Sequence, residues 1–238
     1  MPAARRAIAL VPVIAIAIAA PCARAAVVQT LPCVNYIPDS NAPSGAKATM
    51  PVVASGFTPG RPVTLWTTGA AATPLTVVSG QADANGVLKG LVTPPALSNA
   101  ETNLESFALI AADPTNPSLA APPFPFSVVR FGMTRSPAPE RPSQRVKFTA
   151  RGFEPGRRVY AHFRFRGRTR RTVSLGVAQG ACGITSRRMR ALPTKLRYGR
   201  WSVYVDQRER FSLKTRPQWI DPFQITRRDQ RRVARVRR

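Results

Sequence analysis

The chain has 238 residues and carries 36 Lys and Arg against 11 Asp and Glu, which gives a formal net charge of +25. Hydrophobic residues make up 44% of the sequence, so the composition excludes a wholly disordered chain despite the charge. One histidine and three cysteines leave few groups for metal binding or histidine-based catalysis, and the length predicts one large or two ordinary domains.

Residues 1–25 have the pattern of a signal peptide. Arg5 and Arg6 form a basic start, and Ala7 to Ala20 is an uncharged apolar stretch. Ala23-Arg24-Ala25 then supplies the small-x-small motif that a signal peptidase cleaves after. The apolar stretch is too short for a stable membrane anchor, so we predict export by the general route.

Two other export signals fit this segment less well. Arg5-Arg6 could begin a twin-arginine signal, but the residues that follow match that motif poorly. Cys22 could be lipid-modified, but Pro21 stands where a lipidation motif has Gly or Ala.

The positive charge is confined to the second half of the mature chain. Residues 26–130 hold four Lys and Arg against five Asp and Glu, whereas residues 131–238 hold 29 against six. Seven arginines lie in the last twelve residues, and a run of this kind is usually disordered. We expect residues 228–238 to form a basic C-terminal tail.

The sequence contains an internal repeat. VVASGFTPGRPVTLW around Gly56 matches FTARGFEPGRRVYAH around Gly152, with an offset of 96. The alternating segment at Phe107 resembles that at Trp201, and Pro125-Phe126 matches Pro222-Phe223. Three matched segments in the same order predict two homologous domains of about 95 residues.

Each repeat has the alternation of β-strands. Val146, Phe148 and Ala150 alternate with polar residues, and Gly-Phe-x-Pro-Gly ends that strand in a turn. Arg166-Gly167-Arg168 predicts a hairpin turn, and Asn85-Gly86 is a strong hairpin signal in the first repeat.

The predicted fold is all-β, with two tandem antiparallel β-sandwich domains after the signal peptide. The expected boundaries are an N-terminal segment at 26–39, a near-neutral first domain at 40–130 and a strongly basic second domain at 131–227.

The GFTPG and GFEPG turns and the ADANG segment carry a resemblance. Together they resemble the secreted bacterial immunoglobulin-like repeat proteins, and ADANG is also similar to neocarzinostatin-type apoproteins. The resemblance implies a fold, and this fold serves unrelated functions. The chain departs from the apoproteins because neither repeat has the cysteine pairs for two internal disulfides.

Catalytic and metal motifs are not evident in the sequence, and we predict a protein that is not an enzyme and has no cofactor. His162 could act as a base for a serine such as Ser174, but no acid beside it in sequence would orient the ring. We therefore expect His162 to be a partly exposed strand residue.

The mature chain keeps two cysteines, Cys33 and Cys182, and an exported protein meets an oxidising environment. A bond between them would tie the N-terminal segment to the second domain. Two free thiols, or a bond between molecules, are the alternatives.

A cluster of arginines on the predicted hairpin is the candidate binding site. Guanidinium groups bind phosphate or carboxylate polymers in a bidentate manner, but they also protect a sheet edge from pairing with other chains. Phe163 and Phe165, on the same predicted hairpin, should turn inward. The cluster comprises Arg164, Arg166, Arg168, Arg170 and Arg171.

We therefore expect a non-catalytic exported protein, secreted or held at the cell envelope, whose basic domain binds an anionic envelope polymer. The alternative is a carrier that holds a small apolar ligand in a sandwich cleft. Nucleic acid is a less suitable partner because the sequence lacks a stacking pattern of exposed aromatic residues. No apolar segment after residue 25 predicts a transmembrane helix.

Overall fold

The computed structural model describes residues 25–36, 49–69, 72–99, 101–138, 142–192 and 197–226. The predicted signal peptide, apart from Ala25, and the predicted Arg-rich tail lie outside these residues.

The regular structure of the described residues consists of β-strands, which confirms the predicted all-β class. The strands are β1 Val27–Thr30, β2 Cys33–Tyr36, β3 Met50–Ser55, β4 Pro62–Gly69, β5 Ala72–Gln81, β6 Leu88–Val92, β7 Leu104–Asp113, β8 Asn116–Ala120, β9 Phe124–Arg130, β10 Gly132–Ser136, β11 Arg145–Arg151, β12 Arg158–Phe165, β13 Arg168–Val177, β14 Thr185–Arg190, β15 Gly199–Asp206 and β16 Trp219–Ile225.

The first unit is a sandwich of two sheets. One sheet has the strand order β1-β3-β6, and the other has the order β2-β9-β7-β4-β5, with β8 paired to β7. The pairing is antiparallel throughout except between β2 and β9, which are parallel.

The second unit repeats this topology. Its sheets have the orders β10-β11-β14 and β13-β12-β15-β16, so each strand occupies the place of its counterpart in the first unit. A three-stranded sheet packed on a four-stranded sheet with these crossings is an immunoglobulin-like sandwich, to which β2 and β8 are added in the first unit. The two units are therefore tandem Ig-like domains, as the repeat predicts.

The repeated Gly-Phe-x-Pro-Gly turn has a structural role that explains its sequence. In the first unit the Phe57 amide donates to the Gly86 carbonyl at 3.2 Å, and the Gly60 amide donates to the Ala82 carbonyl at 2.9 Å. The turn thus docks on the loop between β5 and β6. A Cβ atom on Gly86 would lie 2.1 Å from the Phe57 oxygen, so only glycine fits there.

The second unit reproduces these contacts. The Phe153 amide donates to the Gly183 carbonyl at 3.3 Å, and the Gly156 amide donates to the Ala178 carbonyl at 2.9 Å. The two domains therefore share a turn-on-turn contact and not only a sequence pattern.

The prediction of a hairpin at Asn85-Gly86 was wrong. The flanking strands β5 and β6 lie in different sheets, so the chain crosses between sheets here. The Asp83 carboxylate accepts hydrogen bonds from the amides of Asn85 and Val87 at 2.8 and 3.0 Å. These bonds stabilise a local turn with the same residues that a hairpin would use.

Aromatic pairs hold the corresponding strands together in both units. Phe107 on β7 lies opposite Phe126 on β9 with ring centroids 5.8 Å apart. Trp201 on β15 lies opposite Phe223 on β16 at 6.3 Å. The matched segments of the repeat therefore occupy equivalent places in two separate hydrophobic cores.

The N-terminal segment differs from the expected organisation. Residues 26–39 were expected to precede the first domain, but β1 pairs with β3, and β2 pairs with β9. Val28 and Val34 are buried in the core of the first unit. The segment is therefore part of the first sandwich, and its strand pairing is too distant in sequence for a local pattern to reveal.

Candidate functional site

The predicted arginine hairpin is formed by β12 and β13, and β13 is the edge strand of its sheet. Phe163 and Phe165 are buried in the core of the second unit, as their alternation predicts. Arg166 and Gly167 make the turn with positive φ angles of 49° and 74°.

Four of the five candidate arginines are exposed: Arg166, Arg168, Arg170 and Arg171. Within the described residues none of the four forms an ion pair with an acid. Arg171 lies opposite Phe163 and Arg168 opposite Phe165, so both project from the face that carries the buried rings.

Arg164 does not belong with the exposed group. Its guanidinium carbon lies 4.1 Å from the centre of the Phe211 ring and 5.4 Å from that of Tyr204. The guanidinium donates to the Gly167 carbonyl, while its Nε is buried without a hydrogen-bond partner. Arg164 therefore packs on the aromatic side chains of Phe211 and Tyr204 and is separate from the exposed group.

His162 is fully buried, which contradicts the expectation of a partly exposed strand residue. Residues 207–218, the loop between β15 and β16, cover the ring, and Phe211 contacts it with centroids 5.5 Å apart. The sequence could not place this loop, because its position depends on packing across the sheet.

Asp206 orients the His162 ring, although no acid lies beside the histidine in sequence. The His162 Nε2 atom is 3.3 Å from the Asp206 carboxylate, and Nδ1 is 3.0 Å from the Thr172 hydroxyl. Ser174, the serine considered with this histidine, instead accepts a hydrogen bond from Arg158 at 3.4 Å. Because the ring is covered on every side, a dissolved substrate cannot reach it in this arrangement.

The Asp206 carboxylate is the centre of a buried polar network. It also accepts hydrogen bonds from the Arg208 amide at 2.8 Å and the Gln218 side chain at 2.9 Å. Burial alone would raise the pKa of Asp206, but the hydrogen bonds from His162, Arg208 and Gln218 outweigh it and lower the pKa. The network attaches both ends of the loop to the sheet.

Cys33 and Cys182 are joined by a disulfide in the structure, with their Cα atoms 5.1 Å apart. Cys33 begins β2 of the first unit, and Cys182 lies in the turn before β14 of the second. Beside the bond, the Asn35 side chain donates to the Gly152 carbonyl at 2.9 Å. Phe131 alone separates β9 from β10, so the two units meet at a short, cross-linked junction.

A cleft of about 360 Å³ opens beside this disulfide. Its lining includes Asn35, Glu154, Arg157 and Arg208, together with Gln207. The Gln207 side chain both accepts from the Glu154 amide and donates to the Glu154 carbonyl, at 3.1 and 2.8 Å. These polar walls do not suit the apolar ligand of the carrier alternative.

Two further features concern only the part of the chain that the structure describes. No group of three or more His, Cys, Asp and Glu residues there could hold a metal ion. No helix there is long and apolar enough to cross a membrane.

No known protein family matches the chain, and no curated protein matches its sequence. Solved structures show distant likenesses. The human OSCAR ligand-binding domain has 11% identity and a TM-score of 0.33, over 84% of this chain and 97% of that one. A tetra-tandem repeat from the extending region of a large adhesion protein has 14% identity and a TM-score of 0.26, over 80% and 48%. The BSP domain of a biofilm-associated protein has 11% identity and a TM-score of 0.25, over 85% and 30%. Likenesses at this level carry no argument about function.

Proposed function

We propose that this chain is a non-catalytic, exported Ig-like protein that associates electrostatically with anionic envelope polymers through its basic second domain. The proposal rests mainly on one observation: Arg166, Arg168, Arg170 and Arg171 are exposed together and form no ion pair with a described acid. Guanidinium groups in this state are available to phosphate or carboxylate groups of a partner.

The charge distribution supports the same proposal. The first unit is near neutral while the second is strongly basic, although the two share a fold. A fold needs no such asymmetry, because exposed charges contribute little to stability. A basic surface raises the local concentration of polyanions, which gives the asymmetry a role in binding.

The test is co-sedimentation of the purified chain with isolated cell-envelope material at low and raised ionic strength. We expect binding at low salt that declines above about 0.15 M, where the Debye length falls below about 8 Å. Binding that persists in high salt, or no binding at low salt, would contradict the proposal.

Two variants locate the binding within the basic domain. Changing Arg166, Arg168, Arg170 and Arg171 to Gln removes the exposed hairpin charges and leaves Arg164 on its aromatic neighbours. Deleting residues 228–238 removes the six arginines and one aspartate of the predicted tail and serves as the control. If the hairpin variant binds as tightly as the parent at low salt, the hairpin arginines only protect the sheet edge.

A further inference from the structure

The outer face of the sheet β10-β11-β14 carries a second group of cations, which the sequence pattern does not reveal. Arg145 on β11 lies opposite Arg190 on β14, and Lys147 lies opposite Arg188. All four residues are exposed, while Val146 and Met189, the opposed pair between them, are buried. Two like-charge pairs therefore lie side by side on one flat face.

This arrangement has an energetic cost within the protein. Like charges directly opposite each other on antiparallel strands are destabilising. Within the described residues the four cations form no ion pair, and the described acids of the second unit lie elsewhere. Glu154 pairs with Arg157, Asp206 contacts His162, Asp221 pairs with Arg135, and Glu209 is in the loop between β15 and β16.

Protection of a sheet edge accounts for only two of the four cations of this face, Arg188 and Arg190, which lie on the edge strand β14. The hairpin arginines lie on or next to the edge strand β13, where charges prevent pairing with other chains. β11, in contrast, is the central strand of its sheet and has both edges paired. Arg145 and Lys147 therefore have no edge to protect.

The geometry suits a linear polyanion. Paired side chains on antiparallel strands are about 5 Å apart, and alternate residues along a strand are about 7 Å apart. A row of hydroxyl groups continues the same face, since Thr149 lies opposite Thr134 on one side and Ser186 on the other. Anion oxygens can accept hydrogen bonds from both the cations and the hydroxyls.

We propose that this face, defined by Arg145, Lys147, Arg188 and Arg190, is the main contact for a linear phosphodiester polymer without bases. The inference rests on the proposed function and assigns its surface and ligand class. Three of the four cations are arginines, whose planar forks match the oxygen pairs of phosphate. No aromatic residue occupies the outward positions of β11 and β14, so bases and sugar rings find no stacking surface.

The test compares two variants that each lose four positive charges. In the face variant, Arg145, Lys147, Arg188 and Arg190 are changed to Gln; in the hairpin variant, Arg166, Arg168, Arg170 and Arg171 are changed to Gln. The probes are poly(glycerol phosphate) and hyaluronate, a carboxylate polymer, and affinity is measured by calorimetry with the full chain at low salt. We expect the face variant to bind poly(glycerol phosphate) about tenfold or more weakly than the hairpin variant.

A second readout is independent of binding. Because the face variant loses two like-charge pairs, its unfolding temperature at low salt should equal or exceed that of the parent, and added salt should raise it less. If the fourfold variant does not fold, the double variant Lys147→Gln, Arg188→Gln carries the same test on one pair.

The outcomes separate this inference from the proposed function. Equal losses in the two variants, or a greater loss in the hairpin variant, would overturn the assignment of the face while polymer binding stands. If the parent binds hyaluronate as tightly as poly(glycerol phosphate), the assignment to phosphodiester polymers is overturned. No binding of the parent to either polymer would overturn the proposed function itself.

Discussion

At the scale of single residues, the contacts of Asp206 link strand, loop and core. Its carboxylate holds the ring of His162 on β12, the amide of Arg208 at the start of the loop and the side chain of Gln218 at its end. Phe211 of the same loop covers His162, and the Arg164 guanidinium lies over the Phe211 ring. This carboxylate therefore stabilises one face of the second domain without contacting solvent.

The network predicts a pH dependence of stability. The pKa of Asp206 is lower in the folded chain than its ordinary value of 3.8, so its contribution is complete above that value and is lost as the pH falls through the folded pKa. Asp206→Asn should reduce the free energy of unfolding by about 1–3 kcal/mol at neutral pH.

The measurement is urea unfolding of the parent and of Asp206→Asn from about pH 7 to about pH 3. The difference in free energy of unfolding between Asp206→Asn and the parent should shrink as the pH falls. A constant difference over the whole range would show that the Asp206 charge does not contribute.

Two glycines of the first unit, one in the repeated turn and one in the loop on which it docks, allow a matched comparison. Gly60 and Gly86 have the same positive φ of 72°, but a Cβ atom has open space at Gly60 and meets the Phe57 oxygen at Gly86. Gly60→Ala should cost about 1 kcal/mol from the left-handed conformation alone. Gly86→Ala should lower the free energy of unfolding by at least about 2 kcal/mol more, because the Gly86 loop must move away from Phe57.

Chemical denaturation of the two alanine variants checks this prediction. Equal losses of stability would mean that the turn-on-turn contact is not what requires glycine in the repeat.

At the scale of elements, the disulfide joins strand β2 to the turn before β14 across a sequence separation of 149 residues. In the chain-entropy description, closing a loop of this length stabilises the folded chain by up to about 5 kcal/mol. Replacing Cys33 and Cys182 by Ala should therefore lower the midpoint of urea unfolding, and reduction of the parent should lower it by a similar amount.

Non-reducing peptide mapping of the purified protein provides the direct check. A peptide pair linked through Cys33 and Cys182 is expected. Free thiols, or a link between two molecules, would contradict the bond.

Local sequence patterns predicted where the strands lie better than they predicted which strands pair. Alternation of Val146, Phe148 and Ala150 identifies β11 and its inward face, because strand period is a local property. The same pattern does not indicate which strand lies opposite, so the sequence did not predict the pairing of Lys147 with Arg188. The burial of His162 was also missed, because a loop more than 40 residues away covers it.

At the scale of the whole molecule, one fold is used twice with different surfaces. The repeat preserves the turns, the strand order and the aromatic pairs, while the charge is confined to the second unit. Phe131 and the disulfide hold the basic unit directly against the neutral one. The two units therefore combine a shared fold with different surface charge.

The salt dependence of polymer binding tests the central claim most directly. The affinity of the full chain for poly(glycerol phosphate) is measured at several salt concentrations, and the logarithm of the binding constant is plotted against that of salt. For contacts to four or more phosphates the slope should be about −3 or steeper. A slope near zero would contradict electrostatic binding.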